Sequence, residues 1–137
     1  HIGKHLEKLK ISSDLGAKTK LLNEINENDK KSYDVVVEAT GSVSGFETSA
    51  MLTKPRGILV LKSTIAATQG LNLASIVVDE ITIVGSRCGQ FAPVVRLMEQ
   101  NKLNVKPLVD SIYDVKDFEC AFEKNSQKGT LKVLVKF

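Results

Sequence analysis

The fold of this chain is set by one stretch, Asp34-Val-Val-Val-Glu-Ala-Thr-Gly-Ser42. Its β-branched run over residues 34–39 has the continuous apolarity that is typical of a strand covered on both faces. The turn residues that follow it precede a predicted helix from Ser44 to Leu52, in which Phe46 and Met51 face inward. A buried strand, a turn and a helix in this order favour a βαβ unit, and therefore a parallel sheet.

On either side of this stretch, strands and helices continue to alternate. Leu6 to Leu15 predicts a helix that Gly16 ends, and Pro55-Arg56-Gly57 predicts a turn before a buried strand. The other predicted elements are strands over residues 58–61, 80–85, 109–114 and 132–137 and helices over residues 93–101 and 115–125. Because crossovers between parallel strands are right-handed, the fold class expected is α/β with a doubly wound parallel sheet.

Composition excludes several classes of protein. With 42% hydrophobic and 26% charged residues, the chain has the balance of an ordinary globular domain, so disorder is not expected. The 19 basic and 16 acidic side chains are spread along the chain, which argues against a nucleic-acid partner because such a surface needs a basic stripe. No apolar stretch approaches the roughly 18 residues of a membrane span, so no membrane partner is expected.

The metal-ligating residue types are few and badly spaced. His1 and His5 crowd the N-terminus, while Cys88 and Cys120 lack the spacing of a metal site or a disulfide framework. We therefore expect no metal ligand in this chain. The two cysteines are expected to be reduced, partly buried thiols, and without an export signal a cytoplasmic location is expected.

Five segments resemble, in order, the medium-chain (zinc-containing) alcohol dehydrogenases. They are Gly3-Lys-His-Leu-Glu-Lys-Leu9 with Leu15-Gly-Ala17, the stretch from Asp34 to Ser42, Arg56-Gly-Ile-Leu-Val-Leu-Lys-Ser-Thr64, Gly85-Ser-Arg-Cys-Gly89 and Gly129-Thr-Leu-Lys-Val-Leu-Val135. The resemblance implies an incomplete Rossmann sheet. It assigns residues 1–88 to an N-terminally truncated nucleotide-binding domain. Residues 89–137 would form a bridging helix and a C-terminal segment that returns to the catalytic domain.

The same resemblance implies that parts of the family's machinery lie before His1. These are the glycine-rich fingerprint G-x-G-x-x-G, which lets the backbone approach the cofactor pyrophosphate, and the zinc ligands. The chain also opens without an initiator methionine. We therefore expect a C-terminal piece of a dehydrogenase that has no catalytic residue of its own, with zinc bound elsewhere in the intact parent.

At the adenosine end of the cofactor, the resemblance implies NADP(H) in preference to NAD(H), although NAD(H) stays possible. Gly3 stands where NAD-preferring relatives carry an acidic residue that accepts the ribose 2′-hydroxyl. Lys4 offers a positive charge to a 2′-phosphate, and Lys8 falls where the family contacts the ribose. The alternative is that both lysines are ordinary solvated charges at the start of a helix.

Further cofactor contacts are implied at the strand ends. The residues expected near the nicotinamide and its ribose are Thr40, Gly41, Ser63, Thr64, Arg87 and Cys88. Lys132 matches a basic position that reaches the pyrophosphate in relatives, but a lysine that protects an edge strand explains it nearly as well. Lys62 departs from the small residues of most relatives; it could contact an acidic or phosphate-bearing substrate, although a surface lysine lying over apolar neighbours explains it better.

The leading functional hypothesis is a fragment of an NADP(H)-preferring, zinc-dependent alcohol or polyol dehydrogenase that transfers hydride between nicotinamide and an alcohol or aldehyde. The resemblance implies that the strand over residues 80–85 pairs with its copy in a homodimer. Ile81, Ile83 and Val84 would otherwise leave an apolar edge exposed. Two alternatives remain: a zinc-free quinone or enoyl reductase fragment, and a non-catalytic nucleotide-binding or dimerisation module.

Overall fold

The computed structural model describes residues 1–64 and 70–137. Its strands are β1 (Ile2–Gly3), β2 (Lys20–Leu21), β3 (Tyr33–Glu38), β4 (Thr53–Leu61), β5 (Thr82–Gly85), β6 (Val109–Asp114) and β7 (Lys132–Lys136). Its α-helices are α1 (Leu6–Asp14), α2 (Val43–Leu52), α3 (Ala74–Val78), α4 (Phe91–Glu99) and α5 (Phe118–Ser126). The chain divides into two compact units: one is His1–Glu24 with Gln90–Phe137, and the other is Ile25–Gly89.

The unit Ile25–Gly89 is built on a three-stranded parallel sheet in the order β3-β4-β5. Helix α2 connects β3 to β4, so the predicted βαβ unit is confirmed. The register places Val35 opposite Ile58 and Val37 opposite Val60. The three strands run in the same direction, so their carboxyl ends lie at one edge of the sheet.

The core of this unit lies on one face of the sheet. Phe46, Ala50, Leu59 and Ile81 are buried together, with Val36, Leu61 and Ile76 packed against them. The expectation that the first strand is covered on both faces is wrong, because Val35 is 56% exposed and Val37 is 57% exposed. Successive side chains of a strand point to opposite faces, and α2 packs only against the face that carries Val36.

Strand β4 begins earlier than the sequence predicts. It runs from Thr53 to Leu61, and its pairing with β3 shifts register between Tyr33 and Val35. The predicted turn at Pro55-Arg56-Gly57 lies inside this irregular region, where Arg56 has a φ of 62°. The expected strand at residues 80–85 starts two residues later, at Thr82, because Glu80 has a left-handed backbone with a φ of 51°.

The other unit contains two parallel strand pairs. Strands β1 and β2, which precede and follow α1 along the chain, pair with each other, and Leu9 is the buried residue of α1. Strands β6 and β7, which precede and follow α5, also pair with each other. Lys124 of α5 forms an ion pair of 3.3 Å with Asp110 of β6. The predicted strand over residues 109–114 matches β6, and the helix predicted at 115–125 begins with a 3-10 turn before α5.

Candidate functional site

The carboxyl edge of the three-stranded sheet gathers a cluster of polar groups. Glu38 ends β3, and Thr40 and Gly41 follow it in the turn before α2. Ser63 comes two residues after β4, which ends at Leu61. The sequence therefore correctly placed Thr40, Gly41 and Ser63 at one sheet edge, which is where parallel α/β sheets bind their ligands.

The cluster is centred on the carboxylate of Glu38, whose side chain is fully buried. Its Oε1 accepts hydrogen bonds from the backbone N–H of Thr40 at 2.6 Å, from Thr40 Oγ1 at 2.6 Å and from the Gly41 N–H at 3.1 Å. Its Oε2 accepts from the hydroxyl of Ser63. One carboxylate thus fixes the turn after β3 and joins it to the end of β4.

The pKa of Glu38 lies below its usual value of 4.5. Burial alone raises the pKa, because it removes water from the charged form. The hydrogen bonds from Ser63, from Thr40 and from the Gly41 backbone outweigh burial, since all of them favour the ionised carboxylate. Glu38 is therefore an anion at neutral pH.

Two glycines allow the turn to approach this carboxylate closely. Gly41 has a φ of 73°, and its N–H also donates to Ser63 Oγ at 2.9 Å. At Gly45, in the first turn of α2, a Cβ atom would lie 1.8 Å from Thr40 Oγ1. The hydroxyl of Ser42 caps α2 by accepting from the Gly45 N–H at 3.1 Å. The turn and the helix start thus fit together only with glycine at position 45.

The other expected nicotinamide residues follow the same strands. Thr64 comes next after Ser63, and its carbonyl oxygen would lie 4.0 Å from a Cβ on Gly41. Arg87 and Cys88 come after β5 and are exposed. Both cysteines, Cys88 and Cys120, are exposed, so the expectation of partly buried thiols is wrong.

Lys62 also lies at this edge. Its Nζ is 3.4 Å from the hydroxyl of Ser86, the residue after β5, and its side chain is exposed. Its backbone N–H donates to the Glu38 carbonyl at 2.9 Å and continues the ladder between β3 and β4. The backbone is therefore fixed while the charged end reaches over the edge.

The residues expected at the adenosine end lie in the other unit. Gly3 ends β1, where a Cβ atom would lie 3.1 Å from Leu9 Cδ2, so a larger residue would crowd α1. Lys4 borders an open cavity of about 580 Å³, and Lys8 is half-buried in α1. The cavity is lined by Lys4, His5, Leu6, Glu7, Leu21, Leu22 and Asn23. Lys132 begins β7 and is exposed.

Glu38 was missed as a site residue, although it belongs to the stretch that determines the fold. The available signal was a carboxylate at the end of a β-branched run, where burial needs compensating donors. The donors are hydroxyls and backbone groups of residues that the sequence had already placed at this edge. What the sequence does not show is that they converge on one carboxylate.

The described residues offer no ligand set for zinc. Within residues 1–64 and 70–137, no group of three or more His, Cys, Asp or Glu side chains could hold a metal ion. A structural or catalytic zinc site needs at least three protein ligands. Over the same ranges, no helix has the length and apolarity to cross a membrane.

Comparison with known proteins places the chain in a family. Residues 4–100 match the family model described as zinc-binding dehydrogenase. The chain belongs to the zinc-binding dehydrogenase family, within the medium-chain alcohol dehydrogenase superfamily. D-arabinitol dehydrogenase 1 of Uromyces fabae is 30% identical over 82% of this chain and 34% of its own length. Sorbitol dehydrogenase of Mus musculus is 30% identical over 75% of the chain and 29% of its own length. The chain thus spans about a third of these relatives.

Solved structures of dehydrogenases share the fold. L-Idonate 5-dehydrogenase from Escherichia coli superimposes with a TM-score of 0.90 over 99% of this chain and 42% of its own, at 22% identity. An alcohol dehydrogenase from Escherichia coli CFT073, complexed with NADH, gives a TM-score of 0.83 over 99% of this chain and 43% of its own, at 16% identity. A zinc-binding dehydrogenase from Sinorhizobium meliloti bound to NADP gives a TM-score of 0.82 over 98% of this chain and 43% of its own, also at 16% identity. The Rossmann-like α/β fold is therefore confirmed.

Proposed function

We propose that the chain is the cofactor-binding part of an NADP(H)-preferring, zinc-dependent polyol or alcohol dehydrogenase. The observation that carries this proposal is the polar cluster at the carboxyl edge of the sheet, where Thr40, Gly41 and Ser63 surround the buried Glu38. In α/β sheets of this type, ligands bind outside the carboxyl ends of the strands. The relatives that act on arabinitol and sorbitol support a polyol or a related small alcohol, or its carbonyl product, as the substrate class.

The zinc chemistry of the family would require ligands outside the described residues, so no step of the reaction is assigned to this chain. The nicotinamide, when bound, supplies the hydride acceptor or donor. The part proposed for the chain is to bind and orient that cofactor. In this proposal Thr40, Gly41 and Ser63 at the sheet edge lie beside the nicotinamide end, and Lys4 serves the adenosine end. A cytoplasmic location stays a prediction.

The size of the native protein tests whether the chain is part of a complete dehydrogenase. An antibody against this stretch should detect a band more than twice the 15.0 kDa of the chain, as the relatives' lengths suggest. A single band near 15.0 kDa would contradict this and favour a nucleotide-binding or dimerisation module. If the larger band is found, zinc content and polyol oxidation are measured on the purified native protein.

The preference for NADP(H) rests on Lys4 and on the absence of an acidic side chain at Gly3. A lysine beside the 2′-phosphate contributes a charge-assisted hydrogen bond, so Lys4→Ala should weaken NADPH binding about tenfold and leave NADH binding unchanged. Lys10→Ala is the matched control, because Lys10 is a nearby lysine in α1 that pairs with Asp14 at 3.1 Å. Titration of the native protein should give tighter binding of NADPH than of NADH. The opposite order would reject the preference.

We also propose that β5 forms the contact of a homodimer. Among the described residues, β5 pairs with β4 and with no strand on its other side, and Ile83 and Val84 are exposed. Ile81 does not belong to this exposed edge, because it is buried in the core at 6% exposure. In sedimentation velocity, Val84→Lys should shift a dimer to monomer. Val37→Lys changes the same face of the sheet on β3, at the other edge, and should leave the dimer intact. A wild-type protein that stays monomeric at high concentration rejects the proposal.

A further inference from the structure

Two of the hydroxyl groups at the carboxyl edge, those of Thr40 and Ser63, donate their proton to Glu38. Thr40 Oγ1 donates to Oε1 at 2.6 Å, and Ser63 Oγ donates to Oε2. An ionised carboxylate has no proton to give, so the direction of both hydrogen bonds is fixed. The lowered pKa of Glu38 keeps the carboxylate ionised at neutral pH. Neither hydroxyl then has a proton left for a ligand.

The acceptor capacity of the two hydroxyls differs. A hydroxyl oxygen has two lone pairs. Ser63 Oγ uses one of them to accept from the Gly41 N–H at 2.9 Å, and no other residue within 1–64 and 70–137 donates to it, so the second one is open to a ligand. Thr40 Oγ1 accepts from the Ser42 N–H at 3.2 Å and lies 3.1 Å from the Ser42 hydroxyl, which can fill its second lone pair. Ser63, which is half-buried, is therefore the hydroxyl that can still accept a hydrogen bond.

We propose that Glu38 is a positioning residue that makes Ser63 an obligate hydrogen-bond acceptor toward the nicotinamide half of the cofactor. The inference rests on the proposed function. It specifies that the ligand group placed against Ser63 is a donor, either the N–H of the carboxamide or the 2′-hydroxyl of the adjacent ribose. A ligand that presents only a carbonyl oxygen at this place meets a second acceptor and loses the bond.

The substitution Glu38→Gln reverses this polarity without changing the shape of the side chain. The glutamine carbonyl oxygen can keep accepting from Thr40 and Gly41, while its NH₂ group faces Ser63 Oγ and donates to it. Ser63 then accepts from two N–H groups, and its own proton is free for a ligand. The residue therefore changes from an acceptor into a donor toward the cofactor.

Binding of cofactor analogues by the complete native protein tests the inference by calorimetry. The probes are NADP⁺, its 3-acetylpyridine analogue, which lacks the amide N–H, and an analogue that lacks the 2′-hydroxyl of the nicotinamide ribose. Wild type should bind NADP⁺ about fivefold more tightly than the analogue that has lost the donor to Ser63. Weaker binding of the acetylpyridine analogue assigns the donor to the carboxamide, and weaker binding of the deoxy analogue assigns it to the ribose.

The variants then separate positioning from simple structural support. In Glu38→Gln the fivefold preference should vanish or reverse, and in Ser63→Ala it should vanish without reversing. Asp34→Asn, which changes an exposed carboxylate at the other end of β3, should keep it. Circular dichroism checks that each variant is folded, and Ser63→Ala still tests the inference if Glu38→Gln does not fold.

The outcomes that overturn the inference are distinct from those that overturn the proposed function. If wild type binds NADP⁺ and both analogues equally, or if Ser63→Ala keeps the preference, Ser63 does not act as the acceptor. If Glu38→Gln weakens all three ligands by the same factor, Glu38 is only structural. If wild type binds neither NADP⁺ nor NAD⁺, the cofactor function itself fails, and the inference fails with it.

Discussion

The two ends of the three-stranded sheet hold their strands together in different ways. At the carboxyl end, a single buried carboxylate, Glu38, accepts hydrogen bonds from neutral donors on two strand ends. At the amino end, basic side chains pair with acidic ones across the strand starts. These pairs are Lys31 with Asp79 at 2.7 Å, Lys54 with Asp34 at 2.7 Å and Arg56 with Glu80 at 3.7 Å.

The difference reflects what each end must do. Exposed ion pairs contribute little and weaken with salt, so they suit an end that only joins strands. A buried anion held by oriented dipoles keeps its geometry in salt. Residues with left-handed backbone also gather at the amino end, namely Lys31, Arg56 and Glu80. We therefore expect the carboxyl end to be the more sensitive to substitution.

The largest effect is expected from Gly45→Ala at the carboxyl end. A Cβ atom there would lie 1.8 Å from Thr40 Oγ1 and 2.8 Å from Thr40 Cβ, so Thr40 must leave Glu38. We expect a loss of about 2 kcal/mol in the free energy of unfolding, since overpacking outweighs the better helix propensity of alanine. Urea denaturation measures it, with faster hydrogen exchange at β3 amides as a local check. Ser44→Ala is the control, and an unchanged Gly45→Ala protein would show that the turn adapts freely.

The next effect is the acid sensitivity that Glu38 confers. Its pKa is lower in the folded protein than the usual 4.5, so its contribution to stability is present above that value and is lost as the pH falls through the folded pKa. Glu38→Gln should cost about 1.5 kcal/mol at pH 7, because charge-assisted hydrogen bonds are lost. The difference in the free energy of unfolding between this variant and wild type should shrink below pH 4.5.

The same experiment compares the two sheet ends. The pKa of Asp34 is also lowered, by its hydrogen bond to Lys54 and by the charge of that lysine. Because Asp34 is exposed, the acid sensitivity that it contributes should disappear in 1 M salt, whereas that of Glu38 should persist. Denaturation curves of Glu38→Gln and Asp34→Asn between pH 3 and 7, at low and high salt, check this. Equal salt dependence would remove the proposed difference between the two ends.

The fold could be predicted from the sequence because its signals are local. β-Branched runs and helical spacing placed the strands at 34–39 and 109–114 and the helix at 44–52 within about a residue of their observed bounds. The edge cluster of Thr40, Gly41 and Ser63 also followed, since parallel strands bring their carboxyl ends together. These inferences needed only order and periodicity.

What failed depended on contacts between distant residues. A run such as Val35-Val36-Val37 looks the same whether one face or both are covered, so the exposure of two of its valines was not predictable. The pairing of Glu38 with Ser63 joins residues 25 positions apart. The left-handed Arg56 gave no signal either, because its backbone is held by the hydrogen bond from its N–H to the Asp79 carbonyl at 2.7 Å.

At the amino end, Lys31→Met should have a smaller effect than the changes at Glu38. The side chain of Asp79 is only 10% exposed and lies 2.7 Å from Lys31 Nζ, so it loses its cationic partner while it remains largely buried. We expect a loss of about 1 kcal/mol, below that of a fully buried pair because Lys31 is half-exposed. Lys54→Met, whose partner Asp34 is exposed, should change stability by less than about 0.5 kcal/mol. Urea denaturation of both variants should show the larger loss for Lys31; the reverse order would mean that solvent already screens Asp79.

The smallest effect should be a gain, from Arg56→Gly. Arg56 has a φ of 62°, which costs a side-chain-bearing residue about 1 kcal/mol, whereas glycine adopts it freely and keeps the hydrogen bond to the Asp79 carbonyl. The greater freedom of glycine in the unfolded chain offsets part of this, so about 0.5 kcal/mol should remain. Arg56→Ala keeps the backbone strain and loses the same weak ion pair, and should therefore gain nothing. If thermal denaturation gave both variants the same stability, the amino end would hold Arg56 without strain.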